Sequence, residues 1–148
     1  MNITIHSRQS IEKLLRTSFP SNTAVISFYE PSAQGEMSQK ISFSGWTKRV
    51  FRVPLDKEIH DERTCFPEAE ALAEFILDAV DDDMDILCQC EDGQTLSAGC
   101  AAAIHEYLAG DGVFVFADYR YTPDKMVFHK IYNALWLLEE NNPTGELA

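Results

Sequence analysis

Ile3 and Ile5 alternate with Thr4 and His6, the period-two pattern of a short strand. Ser7 follows as a helix cap, and Ile11, Leu14 and Leu15 share one face of a helix predicted over residues 8–17. Residues 23–29 (TAVISFY) are β-branched and aromatic up to Glu30-Pro31 and predict a second strand. Residues 31–46 are polar and turn-rich, a loop with room for a short strand around residues 41–43. Residues 47–53 (TKRVFRV) read as the next strand. The charged connection over residues 54–66 lacks periodicity, and its length marks it as a candidate active-site loop.

Pro67 suits a first helical turn, with Glu68 and Glu70 favouring its positive end. Leu72, Phe75, Ile76, Ala79 and Val80 then recur at helical spacing, and Asp81, Asp82 and Asp83 end the helix as a solvated turn. A Ca²⁺ loop would need spaced oxygen ligands and a distal Glu, which this run lacks. Residues 84–89 (MDILCQ) predict a buried strand, and the alanine-rich SAGCAAAIHEYLAG a buried helix ending at Gly110. Residues 113–116 fit a strand or a packed loop. Thr122 and Pro123 open a last helix, with Val127, Ile131, Ala134, Leu135 and Leu138 on its apolar face. Strands interleaved with helices predict an α/β fold: a single domain with a central, mostly parallel sheet flanked by helices.

The chain has 148 residues, which sets the expectation of one domain over residues 1–142 and a frayed tail over 143–148. Charge changes the picture more. With 24 acidic and 12 basic residues the net charge is −12, and no Lys or Arg occurs between Arg63 and Arg120. Binding to nucleic acid or to an anionic membrane surface needs clustered cations, so neither is expected as a partner. A basic protein partner fits the acidic surface over residues 68–92. No run of 18 apolar residues is present, and the N-terminal segment is too short and polar for a signal peptide, so a cytoplasmic location is expected.

Four cysteines, Cys65, Cys88, Cys90 and Cys100, remain to be placed. Without a secretory signal a disulfide framework is not expected, and Cys88-x-Cys90 followed by Cys100 matches no zinc spacing. No metal or other cofactor is expected. Cys88 and Cys100 read as core thiols. Cys90 reads either as a small buried thiol or as a nucleophile, because it sits between a strand and a short Gly-containing loop that opens a helix at Ser97. Loop amides and a helix N-terminus converging on one point stabilise an anion, and a thiolate placed there can attack a phosphate ester.

The ten residues from 89 to 98 (QCEDGQTLSA) resemble the phosphate-binding loop of the cysteine-dependent tyrosine and dual-specificity phosphatases. That pattern is His-Cys, five residues, Arg, then Ser or Thr, often with Gly third after the Cys. The chain is most similar to small bacterial and phage proteins classed as predicted tyrosine phosphatases, whose loop runs into an Ala-rich helix. Their late Tyr…Pro-Asn…Val-Tyr segment is echoed by residues 121–128 (YTPDKMVF). The resemblance spans Ile3 to about Leu138. It implies a phosphatase-like domain with Cys90 as nucleophile and Ser97 as the hydroxyl that assists thiolate departure. It also implies Asp56 as general acid, with Glu58 and Asp61 as alternatives, and a phosphate loop of Glu91, Asp92, Gly93, Gln94, Thr95 and Leu96. A phosphoryl-containing substrate follows if the loop is competent.

Two departures weigh against turnover. Leu96 stands where the family has Arg, whose bidentate fork holds two phosphoryl oxygens. Losing it should cost roughly 3–5 kcal/mol of transition-state stabilisation, about 10²–10⁴ in rate. Gln89 replaces the family's His, a group that orients the loop and lowers the thiol pKa. Glu91 and Asp92 add negative charge within the loop. The expectation is a phosphatase-like protein with lost or weak activity and a degenerate loop, into which Leu96 could collapse. Two alternatives stand beside it: an active enzyme that borrows Arg120, Lys125 or Lys57 as its cation, and a non-catalytic interaction module.

Overall fold

A computed structural model describes residues 1–35, 39–56 and 66–140 of the chain. Four strands, β1 (Ile3–His6), β2 (Thr23–Tyr29), β3 (Val50–Pro54) and β4 (Asp85–Gln89), form one sheet in the order β1-β4-β2-β3. Every neighbouring pair is parallel, in the register Ile5 to Cys88, Ile26 to Cys88 and Ile26 to Phe51. Parallel strands need crossovers, and the helices α1 (Arg8–Arg16), α2 (Ala69–Asp81), α3 (Leu96–Ala109), α4 (Val113–Ala117) and α5 (Lys125–Glu140) complete the fold. The α/β class with a flanked parallel sheet is as expected.

Alternation along β2 and β4 sorts the core into two layers. Ala24, Ile26, Phe28, Ile86 and Cys88 face a large cluster built with Leu72 and Ile76 of α2, Ile104 of α3, and Ile131 and Leu135 of α5. Val25 and Leu87 face the other way, onto Ile11 of α1 and the loop residues Ile41 and Phe43. Both faces of β2 and β4 are therefore covered, as parallel sheets require.

Three expectations need correction. The segment around residues 41–43 is no strand; Ile41 and Phe43 are buried as loop anchors beneath the sheet, and turn bonds run from the Trp46 and Thr47 amides to the Phe43 carbonyl. The strand predicted from residue 47 starts at Val50, because the Thr47 hydroxyl donates to the Thr23 carbonyl (2.9 Å) instead of continuing the ladder. Residues 113–116 are neither strand nor loop but part of α4, started by turn bonds from Phe114 N to Asp111 O (3.1 Å) and Val115 N to Gly112 O (3.0 Å). The predictions at Glu58, Asp61, Cys65 and Lys57, and the proposed 143–148 tail, lie outside the described residues. No helix among the described residues is long and apolar enough to cross a membrane.

Candidate active-site loop

The central strand β4 delivers Cys90 to the C-terminal edge of the sheet, where residues 90–95 turn into α3. That is where open α/β sheets place ligand sites. The loop is held from outside on two sides. On one side the Cys90 amide donates to His6 O (3.2 Å) and the Arg8 amide to Glu91 O (3.2 Å). On the other, the Thr122 amide donates to Gln94 O (2.8 Å) and the Asp124 amide to Thr95 O (3.1 Å).

Two glycines make these approaches possible. Gly93 has φ +66°, and a Cβ there would lie 2.5 Å from the Ser7 nitrogen. At Gly99 a Cβ would lie 2.6 Å from the Asp124 carbonyl oxygen.

Cys90 is buried, 2% exposed. Its thiol donates to Asp92 Oδ1 (3.3 Å) and its sulfur lies 3.1 Å from Ser97 Oγ. A thiol has one proton; with that proton on Asp92, the Ser97 hydroxyl donates to the sulfur. Burial raises the Cys90 pKa and is the largest influence. The Ser97 hydroxyl and amide pull it down, and the Asp92 carboxylate pushes it up again, leaving the thiol above its ordinary value. A nucleophilic thiolate is thus disfavoured at neutral pH.

The Asp92 carboxylate collects donors from the start of the next helix. Its Oδ1 accepts from the Gln94 amide (2.8 Å), the Thr95 amide (3.2 Å) and the Thr95 hydroxyl (3.1 Å), and its Oδ2 is 3.1 Å from that same hydroxyl. Leu96 is 2% exposed and belongs to the same buried cluster as Cys90, Phe66, Cys100 and Met126. The position at which the sequence pattern would place an Arg is buried in the core. Gln89 is held by β2: its side chain accepts from the Ser27 hydroxyl, and both residues are buried.

Asp56 follows β3, at the same end of the sheet as Cys90 but two strands away. Its Oδ1 accepts from the Ser32 amide (3.0 Å), so it is anchored to the turn after β2. The geometry joins Cys90, Asp92, Gln94, Thr95 and Ser97 by hydrogen bonds; Asp56 is not joined to them by any bond among the described residues. Of the cations proposed to reach the loop, Arg120 is held by Asp118, with Nη2 2.7 Å from Oδ2, and Lys125 is exposed at the start of α5.

Among the described residues, Arg8 is a cation that does reach the loop. It is buried, and its Nε donates to Glu91 Oε2 (2.7 Å) while another guanidinium nitrogen donates to Gln39 O. Sequence reasoning passed over it. Its place directly after a strand, at the start of a helix, was the available signal, since parallel strands bring such junctions to one end of the sheet. Among the described residues the other two thiols are structural in setting: Cys88 and Cys100 are fully buried, with their sulfurs 3.8 Å apart.

No protein-family model matches the chain, and no curated protein matches it. Among solved structures, human DUSP28 superposes with a TM-score of 0.49 and 14% identity, over 94% of this chain and 94% of that one. A mouse protein described as a dual specificity phosphatase, complexed with zinc tungstate, gives a TM-score of 0.46 and 17% identity over 88% of this chain and 77% of that one. These are likenesses of outline at low identity, and no residue role is carried over from them.

Proposed function

We propose that the protein is a tyrosine/dual-specificity-phosphatase-like domain whose phosphate loop is catalytically silent. The single observation that carries this reading is the Asp92 carboxylate bound by the Gln94 and Thr95 amides, the Thr95 hydroxyl and the Cys90 thiol. The strand, cysteine, tight glycine turn and helix-opening Ser97 keep the outline of a phosphate cradle. Inside it stands a carboxylate of the chain's own, where a phosphoryl group would need the same donors.

Three consequences argue against hydrolysis. A phosphoryl dianion would meet the negative charge of Asp92, while that of Glu91 is paired with Arg8. Leu96 stands where the resemblance places the Arg fork, and Arg8, which reaches the loop, is bonded to Glu91 and Gln39. The thiol is buried with a raised pKa, so the nucleophile is mostly protonated. Phosphoryl transfer relies on positioning and charge stabilisation, and each is weakened here. Cys90 as the nucleophile position, Ser97 as the leaving-group hydroxyl and Asp56 as general acid remain part of the proposal as remnants of the ancestral site.

The test is hydrolysis of an aryl phosphate by purified protein, with vanadate titrated as an oxyanion probe. The expected result is no turnover above the Cys90→Ser variant and no vanadate protection of Cys90 from alkylation. Turnover lost in Cys90→Ser, or vanadate protection at micromolar concentration, would overturn silence and favour an enzyme with a recruited cation.

A further inference from the structure

Among the described residues the sheet ends on β1, and the outer edge of that strand opens onto a groove. Ile86 N donates to Asn2 O (2.9 Å) and Cys90 N to His6 O (3.2 Å). A parallel ladder uses alternate residues, so Asn2, Thr4 and His6 are turned to β4 while the amides and carbonyls of Ile3 and Ile5 point outward. Along that edge runs a groove of about 450 Å³, floored by β1 and walled by His105, Asp111, Phe114, Val115, Asp118 and Tyr121.

The far wall is built to stand where it does. At Gly112 a Cβ would lie 2.6 Å from the Ala102 carbonyl oxygen, so only glycine lets the start of α4 lie against α3. Val115 then packs with Ala98 and Ala102, with Ile5 and Tyr121 beside them. This leaves Phe114, which lines the groove, 72% exposed.

We propose that this groove takes an extended, basic peptide segment of a partner protein, added along β1 as a fifth strand. The outward amides and carbonyls of Ile3 and Ile5 need an extended backbone, which is how a free sheet edge recognises a peptide. Phe114 and Tyr121 offer apolar contact for alternate side chains. Charge selects the rest of the occupant: among the described residues no Lys or Arg lines the groove, whereas Asp111 and Asp118 do. Asp118 is forked by Arg120 and Asp111 lies 3.4 Å from His105 Nδ1, so peptide cations would join these pairs at the groove mouth. A second copy of the chain is a poorer occupant, because each carries a net charge of −12. The inference stands on the β1 edge and is independent of the Cys90 loop.

The experiment is fluorescence anisotropy with a dye-labelled octapeptide of alternating Val and Arg, against the same peptide with Glu in place of Arg. The Arg peptide should bind and the Glu peptide should not. Ile5→Pro, which removes an outward amide at an edge where proline is tolerated, should weaken binding at least tenfold, as should joint Asp111→Lys and Asp118→Lys. Joint reversal of Asp81, Asp82 and Asp83 to Lys should leave binding within about twofold. Hydrogen exchange on the unmodified chain gives a readout free of folding effects: the Ile3 and Ile5 amides should gain protection when the Arg peptide is added. No protection at those amides, equal loss on reversing Asp81, Asp82 and Asp83, or concentration-dependent self-association in place of peptide binding would each overturn the proposal.

Discussion

Cys90 and Asp92 define the chemistry at the scale of single residues. The thiol faces a hydroxyl and an amide that favour its ionised form and a carboxylate that opposes it, all within a buried setting that favours the neutral form. Alkylation of Cys90 by iodoacetamide, followed by peptide mass spectrometry, should therefore reach half-rate at a pH above that of an ordinary cysteine. Asp92→Asn removes the opposing charge while keeping a carbonyl oxygen for the Gln94 and Thr95 amides, so the midpoint should move down. An unchanged midpoint would show that Asp92 does not govern the thiol. The same shift has a sign for stability: the neutral buried thiol's contribution is intact below the unfolded thiol's pKa and is lost as pH rises through the raised folded value. Cys100, fully buried and also raised, acts in the same direction, so stability should decline in alkaline solution.

Leu96 supplies the second residue-scale prediction. Restoring the family's residue by Leu96→Arg should not restore a phosphatase, because the side chain belongs to the core cluster. Loss of the buried Leu and entry of a charged group should together cost about 2–5 kcal/mol, measured as a fall in the denaturant midpoint. A stable variant that hydrolyses aryl phosphate would show that position 96 can face the loop after all.

Among the elements, the β4–α3 connection depends on glycine more than on any polar group. Gly93→Ala would need a left-handed conformation and would drive a Cβ into the backbone of the β1–α1 turn. The expected loss is about 2 kcal/mol or more, together with faster exchange of the Arg8 and Cys90 amides that tie the loop to that turn. Much of this arrangement was legible in the sequence. Residues 3–6, 23–29 and 84–89 carried the right periodicity and composition, Ser7 caps α1 by accepting from the Ser10 amide, and Gly110 closes α3 in a left-handed turn. Elements failed where apolar residues had a use other than a strand. Ile41 and Phe43 anchor a loop, and residues 113–117 coil into a short helix because no strand lies beside them to complete a ladder.

Over the whole molecule, the excess of acidic residues should oppose compactness through like-charge repulsion. Arg8 with Glu91, Arg49 with Asp82 and Arg120 with Asp118 offset part of it by pairing. Added monovalent salt should therefore raise the thermal midpoint by screening the repulsion, most steeply at low ionic strength. Scanning calorimetry across a salt series checks this, and a falling midpoint would mean that the ion pairs outweigh the repulsion.

Hydrophobic periodicity, cap residues and glycine placement act over a few neighbouring positions. The sequence by itself therefore determined the α/β class, most element positions, and the strand–cysteine–loop–helix order around Cys90. Tertiary structure alone decided that Cys90 and Leu96 are buried in one core cluster, that Arg8 reaches Glu91, and that Asp56 is tied to Ser32. These depend on strand order and on which backbone amides converge in space. Those contacts join residues as far apart as Arg8 and Glu91, where no local pattern along the chain can bring them together.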